Sequence, residues 1–202
     1  TTDYSHWNVH VLMMLDPDPE EVTRTVRRTL WRGTEAPATE LMGGPFEILP
    51  AALAYCRWQD TLTDEGRFLL HDYLTGAHFE RGNTENHWLM YYAGLLLACE
   101  QFPDSDFTWN GLSPQVLAAE AKRWILGTIE RTARLGHHEY DSTHYHVEHM
   151  VAYVGLYEHS QDEHLRAQCE KKLSILVADM ALEYFKGAWA GGHSREGYRR
   201  NT

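Results

Sequence analysis

Three stretches of this 202-residue chain carry side chains that do chemistry. The first is Asn83-Thr84-Glu85-Asn86-His87-Trp88. It opens an expected helix, where free backbone N–H groups and the helix dipole favour an anion. Adjacent Asn86 and His87 project roughly 100° apart on a helix, so they border one cleft from different sides. Plain capping by Asn83 or Thr84, with Asn86 and His87 in the first turn, is the structural alternative. The second stretch runs from Gly136 to His149 and holds five histidines within thirteen residues. His, Asp and Glu are ordinary zinc ligands. No two of the five are four apart, so the helical pair of H-E-x-x-H is missing, although His146 and His149 can share a helix face. We therefore expect hydrogen-bonded or solvated histidines, with no metal and no other cofactor. The third is the tail from Trp189 to Arg200. Gly191 and Gly192 permit a tight backbone excursion. Arg195, Arg199 and Arg200 suit bidentate capture of a carboxylate or sulfate, a solvated basic end being the alternative.

The elements that must position these residues read as helices separated by Pro, Gly and Asp. Pro19, Glu20 and Glu21 open a helix to about Arg32, with Gly33 as its stop. Pro45 to Asp60 reads as a second helix, interrupted early by Pro50. Thr63 caps a third, to about Gly76. Asn83-Thr84 start a fourth, to about Phe102. Ser113-Pro114 open a fifth, which Gly136 ends. A sixth spans about Thr143 to His159. Asp162 starts a seventh, with an apolar stripe of Leu165, Cys169, Leu173, Leu176 and Met180. No strand alternation stands out. The fold class expected is all-α, built from antiparallel helical hairpins. Residues 1–202 read as one helical domain or a fragment of one.

The motifs resemble those of the (α/α) toroid polysaccharide lyases, the alginate lyases and the heparinase II/III group. Thr84-Glu85-Asn86-His87 is similar to their Asn-His motif. Glu139, Ser142 and Tyr145-His146, read as E-x-x-S-x-x-Y-H, resemble the segment carrying their tyrosine. Gly191-Gly192-His193-Ser194-Arg195 resembles a later Gly/His/Arg segment. The resemblance covers roughly residues 80 to 200; family members are longer and continue into a β-sandwich. It implies hairpins forming part or all of a toroid, and β-elimination at a uronic acid. In that reaction Asn86 neutralises the substrate carboxylate, stabilising the enolate-like charge. Tyr145 protonates the departing oxygen, and serves as base for one stereochemistry. His87 is the base for the other, since an imidazole titrates near neutral pH. Arg195 holds the carboxylate or favours the tyrosinate. Trp88 and Trp189 stack on sugar rings, while His146, His193 and Arg199 complete the substrate contacts. A helical-toroid glycoside hydrolase pairing Glu85 with Glu139 or Asp141 is the rival enzyme. A non-catalytic glycan-binding or scaffold relative is the rival outside enzymology.

Composition sets outer bounds. The 43% hydrophobic content supports a buried core, and thirteen histidines with seven tryptophans are its oddest features. The net charge of −11 argues against nucleic acid as a partner. It suits an acidic oligo- or polysaccharide only where basic groups cluster locally. Apolar runs such as residues 93–98 are too short for a bilayer, so no membrane partner is expected. Cys56, Cys99 and Cys169 sit in apolar helical patterns and read as core. Thr1-Thr2-Asp3-Tyr4 carries no signal-peptide pattern. Location stays open, a soluble secreted or periplasmic setting among the expectations. Further segments of the same protein are expected partners.

Overall fold

The computed structural model describes residues 7–15, 18–32, 34–108, 111–139, 142 and 145–189, with backbone alone for 188 and 189. Eight α-helices occur among the described residues: α1 Asn8–Leu15, α2 Pro19–Leu30, α3 Pro45–Trp58, α4 Asp64–Gly76, α5 Glu85–Gln101, α6 Pro114–Leu135, α7 Tyr145–His159 and α8 Glu163–Glu183. The chain is mostly helical, as the sequence implies. Most of the expected helix starts close as capping hydrogen bonds, while Thr84, the N-cap of α5, makes none. Asp18, Thr63, Ser113 and Asp162 each accept a backbone N–H from the first turn they precede.

Three features depart from expectation. Helix α1 lacks cap signals and is apolar nearly all round, so no periodicity marks it. Helix α3 runs unbroken through Pro50. An interior proline costs a helix about 3 kcal/mol, but Ile48 to Ala54 are buried without interruption, and that packing outweighs it. Two pairs of two-residue strands also form. β1 (Met42–Gly43) lies parallel to β2 (His78–Phe79), and β3 (Tyr184–Phe185) antiparallel to β4 (Ala188–Trp189). They are too short to show alternation.

Burial separates the helices into two layers. α5 is enclosed on all sides from Leu89 to Cys99 and packs on α3, α6 and α7. Its Gly94 meets α3 so closely that a Cβ would lie 2.9 Å from the Leu49 nitrogen. α6 buries one stripe, including Leu117, Ala121, Ile125 and Ile129. α8 does likewise with Leu165, Cys169 and Leu176. Lys172 joins that stripe, a buried cation where the periodicity pointed to its apolar neighbour Leu173. α3, α5 and α7 thus form an inner row, backed by α4, α6 and α8. The three cysteines are free, with Cys99 and Cys169 buried.

Candidate functional site

The parallel β1–β2 pair fixes where α5 begins. His78 N donates to Leu41 O (2.9 Å) and Glu80 N to Gly43 O (2.9 Å). Residues 80–84 therefore run beside the start of α3. Between them lies a cleft of about 720 Å³, bordered by Arg32, Glu47, Glu80, Arg81, Asn83 and His87. His87 is half-buried, with its ring edge-on to Phe46 at 5.2 Å. Gly82 has φ +74°, and a Cβ there would sit 2.6 Å from His87 Nδ1. Glycine thus lets the backbone lie against the imidazole. Trp88 Nε1 donates to Gly82 O (3.0 Å), and the Arg81 guanidinium lies 3.9 Å above the Trp88 ring. Arg81 also donates to the Tyr92 hydroxyl (3.1 Å).

Behind the cleft, the start of α5 meets the start of α7. Free N–H groups at a helix start attract carboxylates; here the protein supplies its own. Asn86 N donates to Glu139 Oε2 (3.1 Å), and Asn86 Nδ2 donates to Glu148 Oε2 on α7. Thr84 Oγ1 donates to Asn86 Oδ1. Glu85 Oε2 accepts from His138 N (2.7 Å) and lies 3.3 Å from His137 Nδ1. The Glu139-Ser142-Tyr145 spacing has a local cause. Ser142 N bonds to Glu139 O, and Ser142 Oγ then accepts from Tyr145 N (3.2 Å), opening α7.

Histidines fill the interior of this junction. The His137 and His149 rings stack with centroids 4.1 Å apart. His149 Nε2 lies 3.7 Å from Glu139 Oε2. His146 Nδ1 is 3.0 Å from Ser142 O, and its Nε2 is 3.5 Å from Asp179 Oδ2. Burial pushes His149 down to about 3, helped by the neighbouring His137. Burial likewise lowers His137 against the pull of Glu85. Burial alone would raise Glu85, but His137 and the His138 N–H hold it below its ordinary value. Burial brings Lys172 down to about 8, although Glu85 and Asp179 act to raise it.

The expected residues fall into distinct settings. Asn86 is fully buried with its amide on Glu148. His87 faces the cleft. Tyr145 is half-buried at the first position of α7. Trp88 is half-buried under Arg81. His146 is 1% exposed and held by backbone, so it supports the α7 turn from beneath. Trp189 belongs to β4, with its side chain outside the description. His193, Arg195, Arg199, Tyr140 and Asp141 lie outside the described residues. Sequence reasoning missed Glu148, Lys172 and Asp179, and it passed over the convergence of Glu85 with His137 and His149. The histidine density was its one available signal. No family model, no curated protein and no solved structure matches this chain.

Proposed function

We propose that the chain is part or all of an (α/α) toroid polysaccharide lyase-like enzyme, cleaving a uronic-acid-containing glycan by β-elimination. One observation carries the reading most: the Asn86–Glu148 bond brings together the helix starts that hold Asn86-His87 and Tyr145. The inner row of α3, α5 and α7 accords with the inner helices of a toroid. Arg32 and Arg81 border the cleft with His87 and offer guanidinium groups to a uronate, each beside an acidic neighbour of its own, Glu47 or Glu80.

In this mechanism the sugar enters the cleft with its α-proton toward His87. Neutralising the uronate carboxylate stabilises the carbanion-like charge. The Asn86 amide now serves the Glu148 carboxylate and is fully buried behind the cleft, so the substrate carboxylate takes it over only once Glu148 moves aside. His87 removes the proton and Tyr145 protonates the leaving oxygen, the tyrosine doing both for the opposite stereochemistry. Arg195, outside the described residues, steadies the carboxylate. Trp88, Trp189, His193 and Arg199 bind flanking sugars, and His146 positions the turn bearing Tyr145. A hydrolase pairing Glu85 with Glu139 draws less support. Each carboxylate is already held by a backbone N–H and lies beside a histidine, and Glu139 is 3% exposed.

The test is a screen of uronate-containing glycans, reading ultraviolet absorbance from the new double bond together with reducing ends. A lyase gives both signals. Reducing ends without absorbance replace the lyase with the hydrolase, and neither signal points to a binding or scaffold role. On a substrate so identified, Tyr145→Phe should lower turnover roughly 10²-fold or more and leave affinity unchanged. Tyr140→Phe is the control. Should it abolish turnover while Tyr145→Phe does not, the tyrosine assignment is wrong.

A further inference from the structure

We propose that Glu85, His137 and His149 bind one divalent cation of the zinc type at the junction of α5 and α7. The inference is independent of the lyase reading, in which none of these residues touches substrate.

Geometry comes first. The three residues each offer one ligand atom, and those atoms lie within 4.8 Å of one another. A tetrahedral zinc with bonds of about 2.0–2.2 Å holds its donors about 3.3–3.6 Å apart. The three ligand atoms therefore draw together by about 1.5 Å at most, through rotation of the two rings and the Glu85 carboxylate about their side-chain bonds. Two imidazoles and a carboxylate are a common donor set for zinc.

The second observation is the state of the ring nitrogens. His149 is 1% exposed and His137 is 7% exposed. Neither nitrogen of either ring has a hydrogen-bond partner among the described residues. The nearest approach is that of His137 Nδ1 to Glu85 Oε2, at 3.3 Å. A buried polar atom left without a hydrogen-bond partner is destabilising. Histidines that merely fill a core have their nitrogens hydrogen-bonded. These two stack face to face with nitrogens unserved, beside a carboxylate, and a cation shared between them removes the deficit.

Charge and protonation agree. The junction gathers the carboxylates of Glu85, Glu139, Glu148 and Asp179, with Lys172 among them. A dication there meets a net negative surrounding. Metal binding requires unprotonated imidazoles, and burial disfavours the protonated form of both rings. Glu139, 3.7 Å from His149 Nε2, stands where it can orient that ring, as carboxylates commonly do behind metal-bound histidine. The ion would tie the start of α5 to the turn before α7 and to α7 itself, three segments distant in sequence.

The experiment uses the full chain stripped with a chelator and titrated with Zn²⁺ by calorimetry and with Co²⁺ by visible absorption. We expect one equivalent per chain, a cobalt band typical of low coordination number, and a raised melting temperature. Glu85→Gln and His149→Gln should each weaken binding about tenfold or more, whereas exposed His164→Gln should leave it unchanged. No uptake by the unaltered protein at millimolar zinc overturns the proposal, as does undiminished affinity in both variants. Should a variant fail to fold, histidine ring resonances of the unaltered protein decide. Shifts of His137 and His149 on adding one equivalent support the site, and shifts confined to other histidines overturn it.

Discussion

Asn86 on α5 donates its side-chain amide to Glu148 on α7, sixty-two positions later, and both groups lie in the wall between the two helix starts. The bond is a direct side-chain link between the segments that carry the proposed acid and base. It joins a neutral donor to a charged acceptor, and charge-assisted hydrogen bonds are about twice as strong as neutral ones. Asn86 also lends its backbone N–H to Glu139, so two carboxylates converge on one residue.

Asn86→Asp keeps the size of the side chain and inverts this arrangement. It places a third carboxylate against Glu139 and Glu148 with no amide between them. An uncompensated buried charge costs about 3 kcal/mol or more. We expect a loss of that order in urea unfolding at pH 7. Acidification to pH 5 should return part of it, because crowded carboxylates take up a shared proton. A variant as stable as the parent at both values would show that the α5–α7 contact is not held by this bond.

Gly82→Ala tests the support of His87. The added methyl would lie 2.6 Å from the imidazole, on a backbone at φ +74°. The left-handed backbone alone costs about 1–2 kcal/mol. Gly111→Ala is the matched control, since φ there is +69° and nothing lies within 4 Å of the new methyl. Gly82→Ala should lose more stability than the control. Turnover on any glycan the parent cleaves should fall in Gly82→Ala and persist in Gly111→Ala.

Gly94→Ala tests the inner row. Its Cβ would press on α3 backbone, 2.9 Å from Leu49 N and 3.0 Å from Ile48 C, and neither atom can swing aside. We expect a loss of about 1–3 kcal/mol from overpacking. Gly127, inside α6, faces open space, with nothing within 4 Å of where a methyl would stand. Gly127→Ala should therefore stabilise by up to about 1 kcal/mol. Equal effects in thermal melts would contradict the close approach of α5 to α3.

His10 sets a pH dependence. Its ring is buried, Nε2 lies 3.0 Å from Pro50 O, and burial lowers its affinity for a proton below the ordinary 6.5. The unfolded chain binds that proton near pH 6.5 and the folded chain resists it. Protons bound are then greater in the unfolded state, so stability is full above about pH 6.5 and declines as pH falls below it. His10→Gln, which cannot titrate, should show a shallower decline between pH 7 and pH 5 in urea midpoints. An unchanged slope would place the acid sensitivity elsewhere.

Much of the helical plan is written in neighbouring residues. A cap is satisfied by amides two or three positions away, so Asp18, Thr63, Ser113 and Asp162 announce their helices whatever surrounds them. The Glu139-Ser142-Tyr145 spacing is of the same kind, a turn feeding a helix start through bonds spanning three residues. Local patterning therefore carries the all-helical character, most helix starts, and the two motifs beside which the candidate site lies. It could not determine what those motifs touch. That α3 passes through Pro50, that Lys172 is buried in the stripe of α8, that Asn86 serves Glu148, and that Glu85 faces His137 and His149 were decided only by tertiary structure. Each depends on how whole helices pack, a sum of many weak apolar contacts without fixed spacing along the chain. A cluster of side chains from three segments is invisible to any local rule, and here the α5–α7 junction assembles one.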